Sequence, residues 1–274
     1  MSRAGTWILS AAVFAAAGAA GWLLWGRAHE AAPTGAEDAA PPVASVAPSA
    51  PVPASSAPHY PVPAASAADA GPPTPESLLA SLFGAKTVAA LFVTEDFPRR
   101  FVATVDGLGR SAAPASVWPM RPAAGRFEVA GAGDAEHIGL DNGLRYAPYV
   151  QLLESVDAAT LVRAYAAIYP QLQAAYVELG FPKGYFNDRF VGVLDQLIAT
   201  PEPPRPLAVH LPPVGGPVQP SRPWVLYEYA DSRLQALTAG QRLMLRLGDV
   251  NERRVKARLV ALRDALVAAS GAAR

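Results

Sequence analysis

Residues 157–180, DAATLVRAYAAIYPQLQAAYVELG, decide the fold class. Leu161, Tyr165, Ile168, Leu172, Tyr176 and Leu179 recur at steps of three and four, which places them in one narrow stripe of a helix. The helix begins after Asp157, and Gly180 is suited to the left-handed residue that follows a helix end. Pro170 removes one backbone bond inside it, so a kink or break is expected there.

The same period extends to either side. Phe186, Phe190, Val193, Leu194 and Leu197 predict a helix ending before Pro201. Val255, Leu259, Leu262 and Leu266 predict a last helix, opened by Asp249 with Glu252 three residues on, a pattern like a capping box. Upstream, Phe97, Phe101, Val105 and Leu108 predict a helix from about Thr94. Thr74-Pro75-Glu76 starts a short one to about Phe83, with a hydroxyl cap, Pro in the first turn and an acid at the positive dipole end. Gly107–Leu144 is broken by Gly, Pro and Ala, with a short strand at Arg126–Val129; Leu207–Leu211 and Trp224–Tyr229 are β-like and pair as a hairpin. The expected class is mainly α (α+β): a compact helical domain over 75–270 with a small β-hairpin.

The first 74 residues have a different composition. Trp7–Trp25 is uncharged, spans roughly 28 Å as a helix, and carries Trp7, Trp22 and Trp25 at its ends, where indole favours the headgroup boundary. It is longer than a signal-peptide core and ends in bulky residues, so residues 1–27 read as an uncleaved transmembrane anchor, with residues 7–25 in the membrane. From Ala28 to Ala85 there is no Lys or Arg, a stretch of the kind that is translocated. The expected location is therefore the bacterial inner membrane, single-pass, with the folded domain in the periplasm. Between them, 28–74 is a Pro/Ala-rich linker expected to be disordered, with 12 prolines in residues 28–75 and no helical or strand period. Fully extended it reaches on the order of 150 Å, enough for a spacer with no ligand of its own.

Several stretches, RRFVATVDGL (99–108), YAPYVQLLESVDAATLVRAYAAIYPQLQAAYVELGFPKGYFNDRFVGVLDQLIATPEPP (146–204), VLYEYADSRLQAL (225–237) and GQRLMLRLGDVNERRVKARL (240–259), resemble the bacterial family called domain of unknown function 3014. The resemblance implies an N-terminal anchor and a Pro-rich linker before the domain, and it implies no activity and no functional residues. The loop Pro212–Pro223 is longer than the family leads one to expect.

Chemistry-bearing patterns are sparse. The formal charge is zero, with 23 basic and 23 acidic residues, which argues against a nucleic-acid partner. Cysteine is absent, so disulfides, thiolate metal sites and a Cys nucleophile are excluded. Asp134, Glu136, His137 and Asp141 cluster in a Gly-rich loop, but a calcium loop counted from Asp134 would put Ile138 and Arg145 where oxygen ligands belong. No phosphate-binding or serine-nucleophile motif occurs; no cofactor, metal or catalytic residue is expected. Asp188 and Asp195 lie on one side of a helix, about 10 Å apart, too far for a coupled pair. Arg253, Arg254, Lys256, Arg258 and Arg263 wrap the last helix around all but its apolar stripe, which reads as a solvated surface.

Tyrosines stand out. Tyr165, Tyr169 and Tyr176 fall on or beside the apolar stripe and belong to the core. Tyr146, Tyr149 and Tyr185, near loops or helix ends and beside Arg145, Asn187 and Asp188, suit a peptide or saccharide groove. Tyr146, Tyr149, Tyr185, Asn187 and Asp188 are thus the candidate ligand-binding residues. The expected function is a membrane-tethered periplasmic domain binding an envelope protein or wall polymer. The alternatives are an envelope-polymer enzyme using Asp188, Asp195 or Glu228, and a self-associating structural module.

Overall fold

The computed structural model describes residues 57–63, 73–213 and 221–272. Its helices are α1 Pro75–Phe83, α2 Ala85–Leu91, α3 Phe97–Leu108, α4 Asn142–Glu154, α5 Ala158–Glu178, α6 Phe186–Ile198, α7 Ser232–Gln235, α8 Ala239–Arg246 and α9 Asp249–Ala272. Two antiparallel pairs of two-residue strands accompany them. β1 Val129–Ala130 pairs with β2 His137–Ile138, and β3 Val209–His210 pairs with β4 Glu228–Tyr229.

The quoted stretch forms α5 as one helix. Asp157 caps it, its carboxylate accepting the Thr160 amide at 2.8 Å and the Thr160 hydroxyl at 2.7 Å. The helix continues through Pro170, so of the kink or break expected there the break is corrected. Leu172, Phe186 and Val102 lose all solvent exposure where α5, α6 and α3 meet, and α9 packs across them. The rings of Phe186 and Phe190 stack at 6.0 Å, Phe101 meets them edge-on at 6.1 and 5.8 Å, and Tyr165 lies 5.4 Å from Phe190. Each such side chain contributes about 1.5–3 kcal/mol by burial, and the offset ring pairs add ~1 kcal/mol.

A second, smaller core gathers Ile138, Leu207, Val209, Tyr229 and Leu245. The strands are too short to be stable alone, and α8 supplies the missing face through the fully buried Leu245. α8 approaches the main bundle closely because residue 240 is glycine: a Cβ there would lie 2.5 Å from Leu197 Cδ2 and 2.9 Å from the Leu108 carbonyl.

Several expectations are corrected. The third helix starts at Phe97, not Thr94, and α2, α7 and α8 carry too few apolar positions to show a period. Tyr146 and Tyr149 lie inside a helix, α4, whose interior Pro148 disguised it. The strand expected at Arg126–Val129 is met only at Val129, the first residue of the two-residue β1, which pairs with β2; the hairpin of β3 and β4 forms as expected, but over two residues each. Glu252 makes no capping box. It is 1% exposed and ion-paired with Arg205 at 2.7 Å and Lys256 at 3.2 Å; the capping box is at α8, between Thr238 and Gln241. The basic residues of α9 are ties between elements as much as solvated groups: Arg254 reaches Glu154, Lys256 reaches Glu202, Arg258 donates to the Val156 carbonyl, and Arg263 pairs with Asp195.

The expected membrane anchor, residues 7–25, and most of the linker lie outside the described residues. Among the described residues no helix is long and apolar enough to cross a membrane. Residues 57–63, which the sequence places in the spacer, are packed on the domain, and that part of the expected disorder is corrected.

Tyr229 gives the smaller core a pH dependence. Its hydroxyl donates to the Arg242 carbonyl at 2.8 Å, and burial pushes its pKa up to about 12 despite Arg246 nearby. An unfolded tyrosine ionises near 10, so the fold favours the neutral phenol by roughly 2–3 kcal/mol. That contribution is fully present below about pH 10 and is lost as pH rises through about 12. Tyr229→Phe is expected to cost ~1 kcal/mol at neutral pH and to flatten the alkaline decline, as measured by urea unfolding at stepped pH.

Candidate functional site

The start of α6 is built from the side chain of Gln173 on α5. Its carbonyl oxygen accepts the Phe186 amide at 2.8 Å and the Tyr169 hydroxyl at 3.0 Å, while its nitrogen donates to the Gly184 carbonyl at 2.9 Å. One amide thereby satisfies an orphan donor of the new helix and fastens the turn before it. Phe186 then enters the core, and the next two residues, Asn187 and Asp188, face a short piece of chain from far upstream.

That piece is residues 57–63, APHYPVP. It bends at His59–Tyr60, and the two carboxylate oxygens of Asp188 accept the Tyr60 amide at 2.8 Å and the His59 amide at 3.0 Å. Successive amides of a straight strand point to opposite sides, so only a bend lets both converge on one carboxylate. Asn187, 1% exposed, donates to the Tyr60 carbonyl at 2.9 Å and accepts the Tyr165 hydroxyl at 3.0 Å. Burial raises the pKa of Tyr165 well above 10 and that of Tyr169 more modestly, so both stay protonated donors at neutral pH. Val62 packs against the main core beyond the bend. Three main-chain atoms and one aliphatic side chain are thus recognised, a peptide seat in chemical terms.

The five candidate residues separate into two places. Asn187 and Asp188 form the seat, and Tyr185 stands immediately before it as the residue preceding α6, half-buried. Tyr146 and Tyr149 do not join them. They line an apolar cavity of about 380 Å³, together with side chains from α3, α6, α8 and α9. The Tyr149 hydroxyl is spent on the Arg121 carbonyl at 2.9 Å, and the Arg145 guanidinium lies 5.5 Å from the Tyr146 ring centre.

Sequence reasoning missed Gln173 and residues 57–63. A glutamine on the shoulder of an amphipathic helix has no pattern to mark it. The only trace of the docked segment is that Pro58 and Pro61 bracket two residues that retain an amide.

None of the acids considered for catalysis is buried. Asp188 is half-exposed and bonded to amides, Asp195 is exposed and paired with Arg263 at 3.0 Å, and Glu228 is a half-exposed strand residue. The buried acid is Glu252, held between Arg205 and Lys256. Among the described residues no group of three or more His, Asp or Glu is placed to hold a metal ion.

Asp188→Ala is expected to release the segment, because two charge-assisted bonds at ~1.5–3 kcal/mol each are lost. Hydrogen exchange at the His59 and Tyr60 amides would accelerate by about two orders of magnitude or more, with α5 and α6 unchanged.

A family model described as "Protein of unknown function (DUF3014)" matches residues 97–263. No curated protein and no solved structure matches the chain. The residues of the seat, from Tyr165 to Asp188, fall inside the matched region, and the segment they hold falls outside it.

Proposed function

The chain belongs to the DUF3014 family, and we propose that it is a membrane-tethered periplasmic binding domain without catalytic activity, whose partner is an envelope protein. The partner presents a proline-flanked bend of backbone to the seat at Asn187 and Asp188. The observation that carries this reading is the recognition of His59 and Tyr60 by main-chain atoms. A site that reads two amides and a carbonyl is suited to a polypeptide; a glycan, with its hydroxyls and ring oxygens, offers a different pattern of donors.

The chain's own segment is the resident occupant. An intramolecular ligand on a short connection has an effective concentration of about a millimolar or more. A partner must therefore bind tightly, arrive in high local concentration, or meet the domain when the segment has opened. Anchoring partner and domain in the same envelope layer supplies the second condition.

A photoreactive residue placed at Tyr185 in the full chain, activated in cells, tests the reading. In the parent the label is expected to join mostly to residues 57–63. Tyr60→Pro, which removes one of the two bonded amides, should shift the label to one reproducible envelope protein, and adding Asp188→Ala should abolish that capture. Only intrachain products, or a wall sugar in place of a protein, would overturn the proposal.

A further inference from the structure

The cavity beside Tyr146 and Tyr149 shares no residue with the peptide seat and is built differently. Phe101, Val105, Phe190, Leu243, Leu259 and Leu262 contribute to its walls. Its volume of about 380 Å³ falls in the range of small-molecule sites. Three polar side chains in its lining are turned to other work. Thr104 donates to the Val117 carbonyl at 3.2 Å, Trp118 to the Ala113 carbonyl at 3.1 Å, and Tyr149 to the Arg121 carbonyl at 2.9 Å. The first and last of these bonds fasten residues 113–121 to α3 and α4 as the outer wall, and the second closes that segment on itself. The remaining lining is almost wholly apolar, which suits an aliphatic chain.

The rim has the opposite character. Arg121 lines the cavity, is exposed, and makes no ion pair or side-chain hydrogen bond among the described residues. Glu76 and Glu95 share the neighbouring groove with it, and neither comes within ion-pair distance. Arg145, over the Tyr146 ring, is bonded to the Ala124 and Gly125 carbonyls and the Asn142 side chain, with no carboxylate among its partners. One unpaired cation in the lining of an apolar hollow, Arg121, with the Arg145 charge over one of its ring walls, is complementary to a molecule with one aliphatic chain and an anionic head.

We infer that this cavity binds the aliphatic chain of a single-chain anionic amphiphile, carboxylate- or phosphate-headed, with Arg121 and Arg145 at the head group. The cavity lining includes neither Asn187 nor Asp188 and touches no part of residues 57–63, so the inference stands apart from the peptide proposal.

The test uses the full chain in native membranes and a photoreactive, clickable fatty acid, with the corresponding fatty alcohol as a neutral control. Adducts mapped by mass spectrometry are expected within residues 101–123 and 243–262. Leu243→Trp, which fills the hollow without exposing apolar surface, should abolish those adducts while the helical circular dichroism is kept. Arg121→Glu should lower labelling by the acid about threefold, the size of one exposed charge interaction, and leave the alcohol unaffected. Competition by lauric acid against lysophosphatidylglycerol then distinguishes a free carboxylate from a lipid phosphate as the head. Labelling confined to residues 7–25, or adducts in the domain that persist in a folded Leu243→Trp chain, would overturn the inference.

Discussion

The turn between α5 and α6 depends on one side-chain amide. Gln173 bonds the turn at Gly184, the first amide of α6 and the hydroxyl of Tyr169 at once, so the entry angle of α6 is set by a residue on the helix before it. That angle sends Phe186 and Phe190 into the ring cluster and turns Asn187 and Asp188 toward residues 57–63 from the same turn. Core and binding surface are therefore two sides of one constraint. A change that loosened the turn would reach both, because the ring stack and the seat share the first turn of α6.

Charge plays a second, more distributed part. α9 is amphipathic in the ordinary sense, but its basic residues extend to Glu154, Glu202 and Asp195 and to the carbonyl end of α4. Pairs at the surface contribute little each, and their value lies in fixing which neighbour each turn of α9 meets. Glu252 is different. Being almost wholly buried, it would be costly if either Arg205 or Lys256 were removed, and it fixes the segment before β3 to the last helix.

Legibility followed period. α5, α6 and α9 were readable because Leu161 to Leu179, Phe186 to Leu197 and Val255 to Leu266 repeat cleanly, and the family resemblance covered the same ground. α4 was hidden because Pro148 sits in its interior, which also displaced Tyr146 and Tyr149 from the seat to the cavity. Asn187 and Asp188 were recognisable as polar residues among tyrosines, yet what they hold was not. The docked segment is held chiefly through backbone atoms, which every non-proline residue of a linker offers alike. Glu252 was misassigned for a related reason: a position three residues into a helix looks alike whether its carboxylate turns back to cap or inward to a distant arginine.

The bond pattern at Asp188 also sets the phase of the linker. Sliding the chain by one residue in one direction brings Pro58 to an amide-donating position, and in the other brings Pro61 there; either has no hydrogen to give. In a stretch this rich in proline, the residues that are not proline become the punctuation by which a receptor finds its place. A proline at either His59 or Tyr60 would erase that position. Such a linker stores its address in missing hydrogens, a text that comparison of side chains would pass over.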